Sequence, residues 1–111
     1  MAKNESNISR LAKAIKKDPD DIFSKFALAL ELLKVDSVEK AQFLFEAVLK
    51  QDPEYLGVYY HLGKLYQSQG YYKQALQLFE DGITMAARQN EPRAKSELQE
   101  ALQQLRFEMN E

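Results

Sequence analysis

The chain has 111 residues, of which 45% are hydrophobic and 29% charged, a composition typical of one soluble globular domain. It contains no Cys and a single His, which excludes disulfides, thiolate chemistry and metal sites built from Cys or several His residues. The net charge of −2 disfavours nucleic-acid binding through a general basic surface.

An amphipathic helix is predicted at the start of the chain. Its apolar residues share one helical face: Ile8, Leu11, Ala12 and Ile15. Its basic residues surround the other face: Arg10, Lys13, Lys16 and Lys17. Such a stripe favours a solvated face over a nucleic-acid or membrane contact. No apolar run approaches the ~18 residues of a membrane span, and the first residues lack the apolar core of a signal peptide, so a cytoplasmic location is expected.

An internal repeat with an offset of 34 residues follows this helix. The dipeptide Asp18-Pro19 recurs as Asp52-Pro53. At the same offset five further residues are identical: Leu28 and Leu62, Ala41 and Ala75, Leu44 and Leu78, Phe45 and Phe79, Glu46 and Glu80. A period of this length with apolar identities indicates a repeat protein with two helices in each period.

The residues of each period predict where its helices begin and end. Counting from the first period, the first helix covers residues 21–34. Asp36 or Ser37 should cap the second helix, with Glu39 completing a capping box. Asp52-Pro53 stops that helix near residue 50. The third helix, about residues 55–69, should end on a left-handed Gly70, and the fourth should run from residue 72 to about 88. Pro92 is then expected as the first residue of a last helix.

The second period resembles the tetratricopeptide repeat (TPR) family. It contains Tyr59-x₂-Leu62-Gly63-x₂-Tyr66, followed by Ala75-x₃-Phe79, where the family pattern begins with Trp. The first period keeps Leu28, Ala41, Phe45 and Pro53 but has Lys25, Ala29 and Leu32 at the Trp, Gly and Tyr positions. The resemblance implies an all-α, right-handed solenoid of antiparallel helix pairs. The expected divisions are a capping half-repeat (1–21), two repeats (22–55 and 56–89) and a C-terminal capping helix (90–111).

The resemblance also implies a non-catalytic module that binds a protein or peptide in a concave groove lined by the first helix of each repeat. The groove positions of the family predict the partner-binding residues Phe23, Phe26, Leu30, Leu33, Lys34, Tyr60, His61, Lys64 and Gln67. Some family members hold a C-terminal carboxylate with Lys and Asn at two of these positions. Phe26 and Leu30 stand there instead, so that type of carboxylate binding is not predicted.

Three alternatives remain for the apolar face formed by Phe23, Phe26, Leu30 and Leu33. The N-terminal helix could cover it as core, a partner peptide or helix could bind it, or a second copy could dimerise through it. No convergent set of reactive groups is visible, so neither an enzyme nor a cofactor or metal site is predicted. Nucleic acid and membrane are likewise not expected partners.

Overall fold

The computed structural model describes residues 3–110, and their side chains from residue 7 onward. These residues form six helices and, within that range, no strand. The helices are α1 (Lys3–Lys17), α2 (Ile22–Lys34), α3 (Val38–Gln51), α4 (Gly57–Ser68), α5 (Tyr72–Arg88) and α6 (Pro92–Met109). The chain divides into two compact units, one ending at Pro53 and the next beginning at Glu54. The all-α class and the predicted helices are confirmed.

The first unit is an antiparallel pair, α2 and α3, with α1 packed against α2. Lys25 near the start of α2 donates to Gln51 Oε1 at the end of α3 (2.7 Å), and Gln51 Nε2 donates to the carbonyl of Asp20 (2.8 Å). Both contacts join the N-terminal end of α2 to the C-terminal end of α3, which fixes the antiparallel direction. The buried apolar core of this unit is Leu11, Leu28, Ala29, Leu32, Ala41, Phe45 and Val48.

The second unit repeats this arrangement with α4 and α5, and α6 packs against both. Gln89 Nε2, just after α5, donates to the carbonyl of Glu54 (2.8 Å), so this pair is also antiparallel. Gly82 marks the position where the three helices meet, because a Cβ there would lie 2.8 Å from Tyr59 Cβ and 3.0 Å from Leu98 Cδ1. The buried apolar core is Val58, Tyr59, Leu62, Ala75, Leu78, Phe79, Ala86, Leu98, Ala101, Leu102 and Leu105.

Helix α2 begins at a side-chain cap. Asp21 accepts the hydroxyl of Ser24 on Oδ2 (2.6 Å) and the backbone N–H of Ser24 on Oδ1 (3.0 Å). These two hydrogen bonds satisfy a backbone donor of the first turn and lower the pKa of the Asp21 carboxyl. They explain why the helix starts immediately after Asp21.

The capping box predicted between α2 and α3 is wrong. Ser37 precedes α3, but no side chain makes a capping hydrogen bond there. Asp36 instead has a left-handed backbone with φ of 60° and donates its N–H to Leu33 O, while the N–H of Ser37 reaches Leu32 O. This pair of hydrogen bonds is the Schellman motif that ends a helix. Asp36 therefore terminates α2 rather than starting α3.

The same helix ending occurs twice in the second unit. Gly70, which is 34 residues after Asp36, has a φ of 83°, and Tyr71 donates to Tyr66 O. Asn90 has a φ of 56°, and Glu91 donates to Ala86 O. The predicted left-handed Gly70 is confirmed, as is Pro92 at the first position of α6.

Candidate functional site

A surface cavity of about 400 Å³ lies between α1 and α2 in the first unit. Three of the predicted binding residues line it: Phe23, Leu30 and Lys34. The other lining residues are Asn7, Arg10, Leu11, Ala27 and Glu31. Phe23 is 67% exposed beside the cavity, whereas Leu28, Ala29 and Leu32 of the same helix are buried in the core.

Polar side chains join α1 to α2 at the edge of this cavity. Asn7 donates to Glu31 Oε1 (3.2 Å), and Lys34 Nζ lies 2.7 Å from Glu31 Oε2. The hydrogen bond from Lys34, followed by that from Asn7, lowers the pKa of Glu31. Arg10 donates to Asn7 Oδ1 at 3.2 Å. The cavity therefore has an apolar floor and a polar edge with two cations and one carboxylate.

Helix α1 covers only part of the apolar face of α2. Leu11 is buried against this helix, so α1 does cover part of the face. Leu30 is only half-buried, and Phe23 stays exposed beside the cavity. Covering is thus partial, and an apolar strip of α2 remains accessible.

The remaining predicted residues of α2 have different surroundings. The ring of Phe26 packs edge-on against the fully buried Phe45, with centroids 5.7 Å apart and planes at 62°. Leu33 is half-buried and does not line the α1–α2 cavity. Phe26 consequently contributes to packing between α2 and α3, and its role in binding stays a prediction.

The predicted residues of α4 form two groups in the second unit. Tyr60 and His61 make an edge-to-face ring contact with centroids 5.4 Å apart. Burial lowers the pKa of His61, and the nearby Glu97 of α6 opposes this by favouring the charged imidazolium. His61 is therefore biased toward its neutral form, in which the ring can both donate and accept a hydrogen bond.

Lys64 and Gln67 line a more polar cavity of about 500 Å³ between the end of α4 and the end of α6. Gln67 Nε2 donates to Glu108 Oε1 (2.7 Å), and Tyr72 donates to Glu108 Oε2 (3.4 Å). Among the described residues, Gln67 Oε1 is buried and accepts no hydrogen bond. Glu108 thus fixes the orientation of Gln67 and ties the last turn of α6 to α4.

Several lining residues were not predicted from the sequence. Asn7 and Arg10 come from α1, which was expected only to cap the repeats, and Glu31 lies beside Leu30 on α2. Asn7 precedes the buried Leu11 by one helical turn, so the two residues lie on the same face of α1. That Asn7 faces α2 could have been inferred from this spacing only once α1 was known to pack on α2. Phe43, which lines a separate cavity of the first unit, was also not predicted. It is a single aromatic residue on the polar face of α3 and is 70% exposed.

In the described part of the chain, no helix is both long and apolar enough to span a membrane. Within residues 3–110, His, Asp and Glu side chains nowhere gather in a group of three or more that could hold a metal ion.

Comparison with known proteins identifies the family. The tetratricopeptide repeat family model matches residues 32–102. A TPR repeat-containing protein of Pseudomonas aeruginosa is 30% identical over 98 residues, which cover 88% of this chain and 93% of the relative. The chain therefore belongs to the tetratricopeptide repeat family, whose members generally mediate protein–protein interactions.

Solved structures agree with this assignment. The crystal structure of a tetratricopeptide repeat domain protein from Salinibacter ruber is 39% identical, with a TM-score of 0.76, covering 78% of this chain and 97% of that one. The TPR2B domain of yeast Sti1, in its complex with pHsp70, has a TM-score of 0.82 and covers 91% of this chain and 81% of that one. Its identity of 19% makes it evidence for the fold alone.

Proposed function

We propose that this chain is a non-catalytic interaction module that binds a peptide or helical segment of a partner protein on the first helix of a repeat. The observation that carries the proposal is the α1–α2 cavity with the exposed Phe23 beside it. Exposed aromatic groups next to apolar pockets are the usual anchors of protein interfaces. The general role of the family in protein–protein interaction supports the same conclusion.

The cavity favours a particular ligand chemistry. Leu11, Ala27 and Leu30 provide apolar surface for one side chain of the ligand. Arg10 and Lys34 at the edge exceed the single carboxylate of Glu31 by one positive charge. The preferred ligand is therefore an apolar side chain with a carboxylate close to it in the sequence.

Helix α4 supports a second contact region, which can be tested separately. The paired rings of Tyr60 and His61 offer apolar area with a polar edge, as interface aromatics commonly do. Lys64 lines the polar cavity of the second unit and provides a cation there. Reversal of this charge by Lys64→Glu should change affinity and its salt dependence while leaving stability unchanged.

The chain offers little support for catalysis. The sequence shows no convergent set of reactive groups, and the described His, Asp and Glu residues form no group of three or more that could hold a metal ion. We accordingly propose a binding role without an enzymatic one, in the cytoplasm.

The proposal can be tested with a displayed library of random short peptides selected on the purified chain. Enriched peptides should share an apolar residue with an acidic neighbour. Their affinities are then measured by fluorescence anisotropy for the wild type and for Phe23→Ser. Loss of the anchor should weaken binding by at least about tenfold, or about 1.4 kcal/mol.

Phe107→Ser is the matched control, because Phe107 is 74% exposed on α6 and lies outside the cavity. This variant should bind as the wild type does. Failure of any peptide to be enriched, or equal binding by Phe23→Ser, would contradict the proposed function.

Self-association through the same α2 face is the alternative, and the exposure of Phe23 favours it as well. Light scattering over a dilution series separates the two. A dimer that is lost in Phe23→Ser would support the alternative, whereas a peptide complex formed without any change in self-association supports the interaction module.

A further inference from the structure

A second apolar cavity, of about 430 Å³, lies on the first unit and shares no lining residue with the α1–α2 cavity. Its floor consists of Leu28 and Leu32 from α2, with Ile8 from α1 and Leu44 from α3. Its edge consists of three residues from the N-terminal half of α3: Glu39, Lys40 and Phe43. We refer to these seven residues as the α3 surface.

Phe43 is the unusual member of the α3 surface. Helix α3 buries Ala41, Phe45 and Val48 completely, whereas Phe43 on its outer side is 70% exposed. An exposed Phe ring projects from the edge of a cavity whose floor is aliphatic. The Phe43 ring and the cavity belong to the same surface, so two copies related by a two-fold axis could each insert the Phe43 ring into the cavity of the other.

Charges at the edge fit the same symmetry. Glu39 and Lys40 are adjacent, exposed and opposite in charge. Neither forms an ion pair with another residue of the described chain. In a two-fold interface, residue i of one copy meets residue j of the other and the reverse contact also occurs. A pair of oppositely charged neighbours can therefore form two equivalent ion pairs across the axis.

We propose that this chain forms a two-fold homodimer through the α3 surface, with Phe43 of each copy in the cavity of the other. Glu39 of one copy then pairs with Lys40 of its partner, and this contact is repeated on the other side of the axis. The contacts proposed for the dimer use no residue that lines the α1–α2 cavity. Each dimer would present two copies of the proposed peptide site, which gives avidity toward a partner with repeated motifs.

The test measures molar mass by light scattering and sedimentation equilibrium over a dilution series of the full chain. The mass should rise from the 12.8 kDa of the monomer to twice that value with increasing concentration. Phe43→Ser should weaken dimerisation by at least about tenfold. Its circular dichroism spectrum should match the wild type, because the replaced side chain is largely exposed.

Matched controls come from two other exposed Phe residues, Phe107 on α6 and Phe23 on α2. Phe107→Ser and Phe23→Ser should dimerise as the wild type does. The charges give an independent arm. Glu39→Lys alone should weaken the dimer, since it places Lys against Lys40 of the partner. Glu39→Lys combined with Lys40→Glu should restore it, and added salt should reduce the difference.

Several outcomes would overturn the proposal. One is a mass of 12.8 kDa at every concentration. Others are a dimer unaffected by Phe43→Ser, or one abolished by Phe23→Ser instead. A monomeric wild type that binds a library peptide only when Phe43 is present would assign the α3 surface to a foreign helix or peptide. Loss of the dimer in Phe23→Ser would support self-association through α2, whereas the other outcomes leave the peptide site, whose own test depends on Phe23, unaffected.

Discussion

Replacement of Gly63 by Ala should destabilise the protein, although Ala is the better helix former. A Cβ on Gly63 would overlap the ring of Phe79, lying 2.8 Å from Cδ1 and 2.9 Å from Cζ. Phe79 is fully buried, so its ring cannot move without disturbing the core. Overpacking of this kind costs about 1–3 kcal/mol, whereas the gain in helix propensity is at most about 1 kcal/mol. The expected net loss is about 1–2 kcal/mol.

Thermal unfolding followed by circular dichroism measures this loss, with about 4–8 °C expected for each kcal/mol. Ala29 is the counterpart of Gly63 in the first repeat and provides the matched control, because the first repeat accommodates its Cβ in a fully buried position. Ala29→Gly should also lower stability, by about 1–2 kcal/mol. In a Phe79→Leu background, Gly63→Ala should cost less, because the smaller side chain leaves room. A Gly63→Ala variant that melts at or above the wild-type temperature would refute the reasoning.

Four further predictions concern stability. Asp36→Gly should increase the free energy of unfolding by up to about 1 kcal/mol and so raise the melting temperature, because glycine adopts the left-handed backbone at lower cost. An unchanged or lower melting temperature would contradict the Schellman ending at Asp36. Phe26→Ala should lower the free energy of unfolding, measured in urea, by about 1–3 kcal/mol, because Phe26 packs against Phe45 of α3. Phe23→Ala should change it by no more than about 0.5 kcal/mol, because Phe23 is exposed, and equal effects would contradict the assignment of Phe26 to the core. Deletion of residues 92–111 should lower the melting temperature and solubility, because α6 buries four apolar side chains; a truncated chain that melts unchanged would contradict this role. Burial lowers the pKa of His61, so the unfolded state takes up a proton on this residue first as pH falls, and stability should decrease as pH falls through the ordinary His pKa of 6.5; His61→Gln should reduce this decrease, and an identical pH profile would contradict the burial of His61.

Much of the fold could be predicted because the sequence repeats the residues that determine it. The offset of 34 placed Ala41 and Ala75 at equivalent helix crossings, and both are fully buried. Gly70 and Pro92 act through the backbone of their own turns, so their effect could be deduced without knowledge of tertiary contacts. These are local rules, and they were sufficient to define the helices.

The wrong prediction of a capping box at Asp36 has a physical cause. Asp favours both helix starts and left-handed helix ends, and only the hydrogen bonds of the turn show that Asp36 is a helix end.

The candidate site was the least predictable part, because the sequence does not say where α1 lies. Phe23, Leu30 and Lys34 were identified from their positions in the repeat, yet their cavity exists only because α1 supplies Asn7 and Leu11 as its other wall. The apolar stripe of α1 predicts that it packs on the repeats, but the hydrogen bond between Asn7 and Glu31, which helps to form the edge of the cavity, has no periodic signature in the sequence.

Helix α1 therefore contributes more than a solubilising cap. Leu11 faces the α1–α2 cavity, and Ile8, three residues earlier, faces the α3 surface. Residues three apart point in neighbouring directions on a helix, so one short segment forms a wall of both proposed interaction surfaces. The repeats supply a generic scaffold that many family members share. Helix α1 lies outside the residues 32–102 that the family model matches, and the proposed peptide site and the proposed dimer surface both depend on that helix.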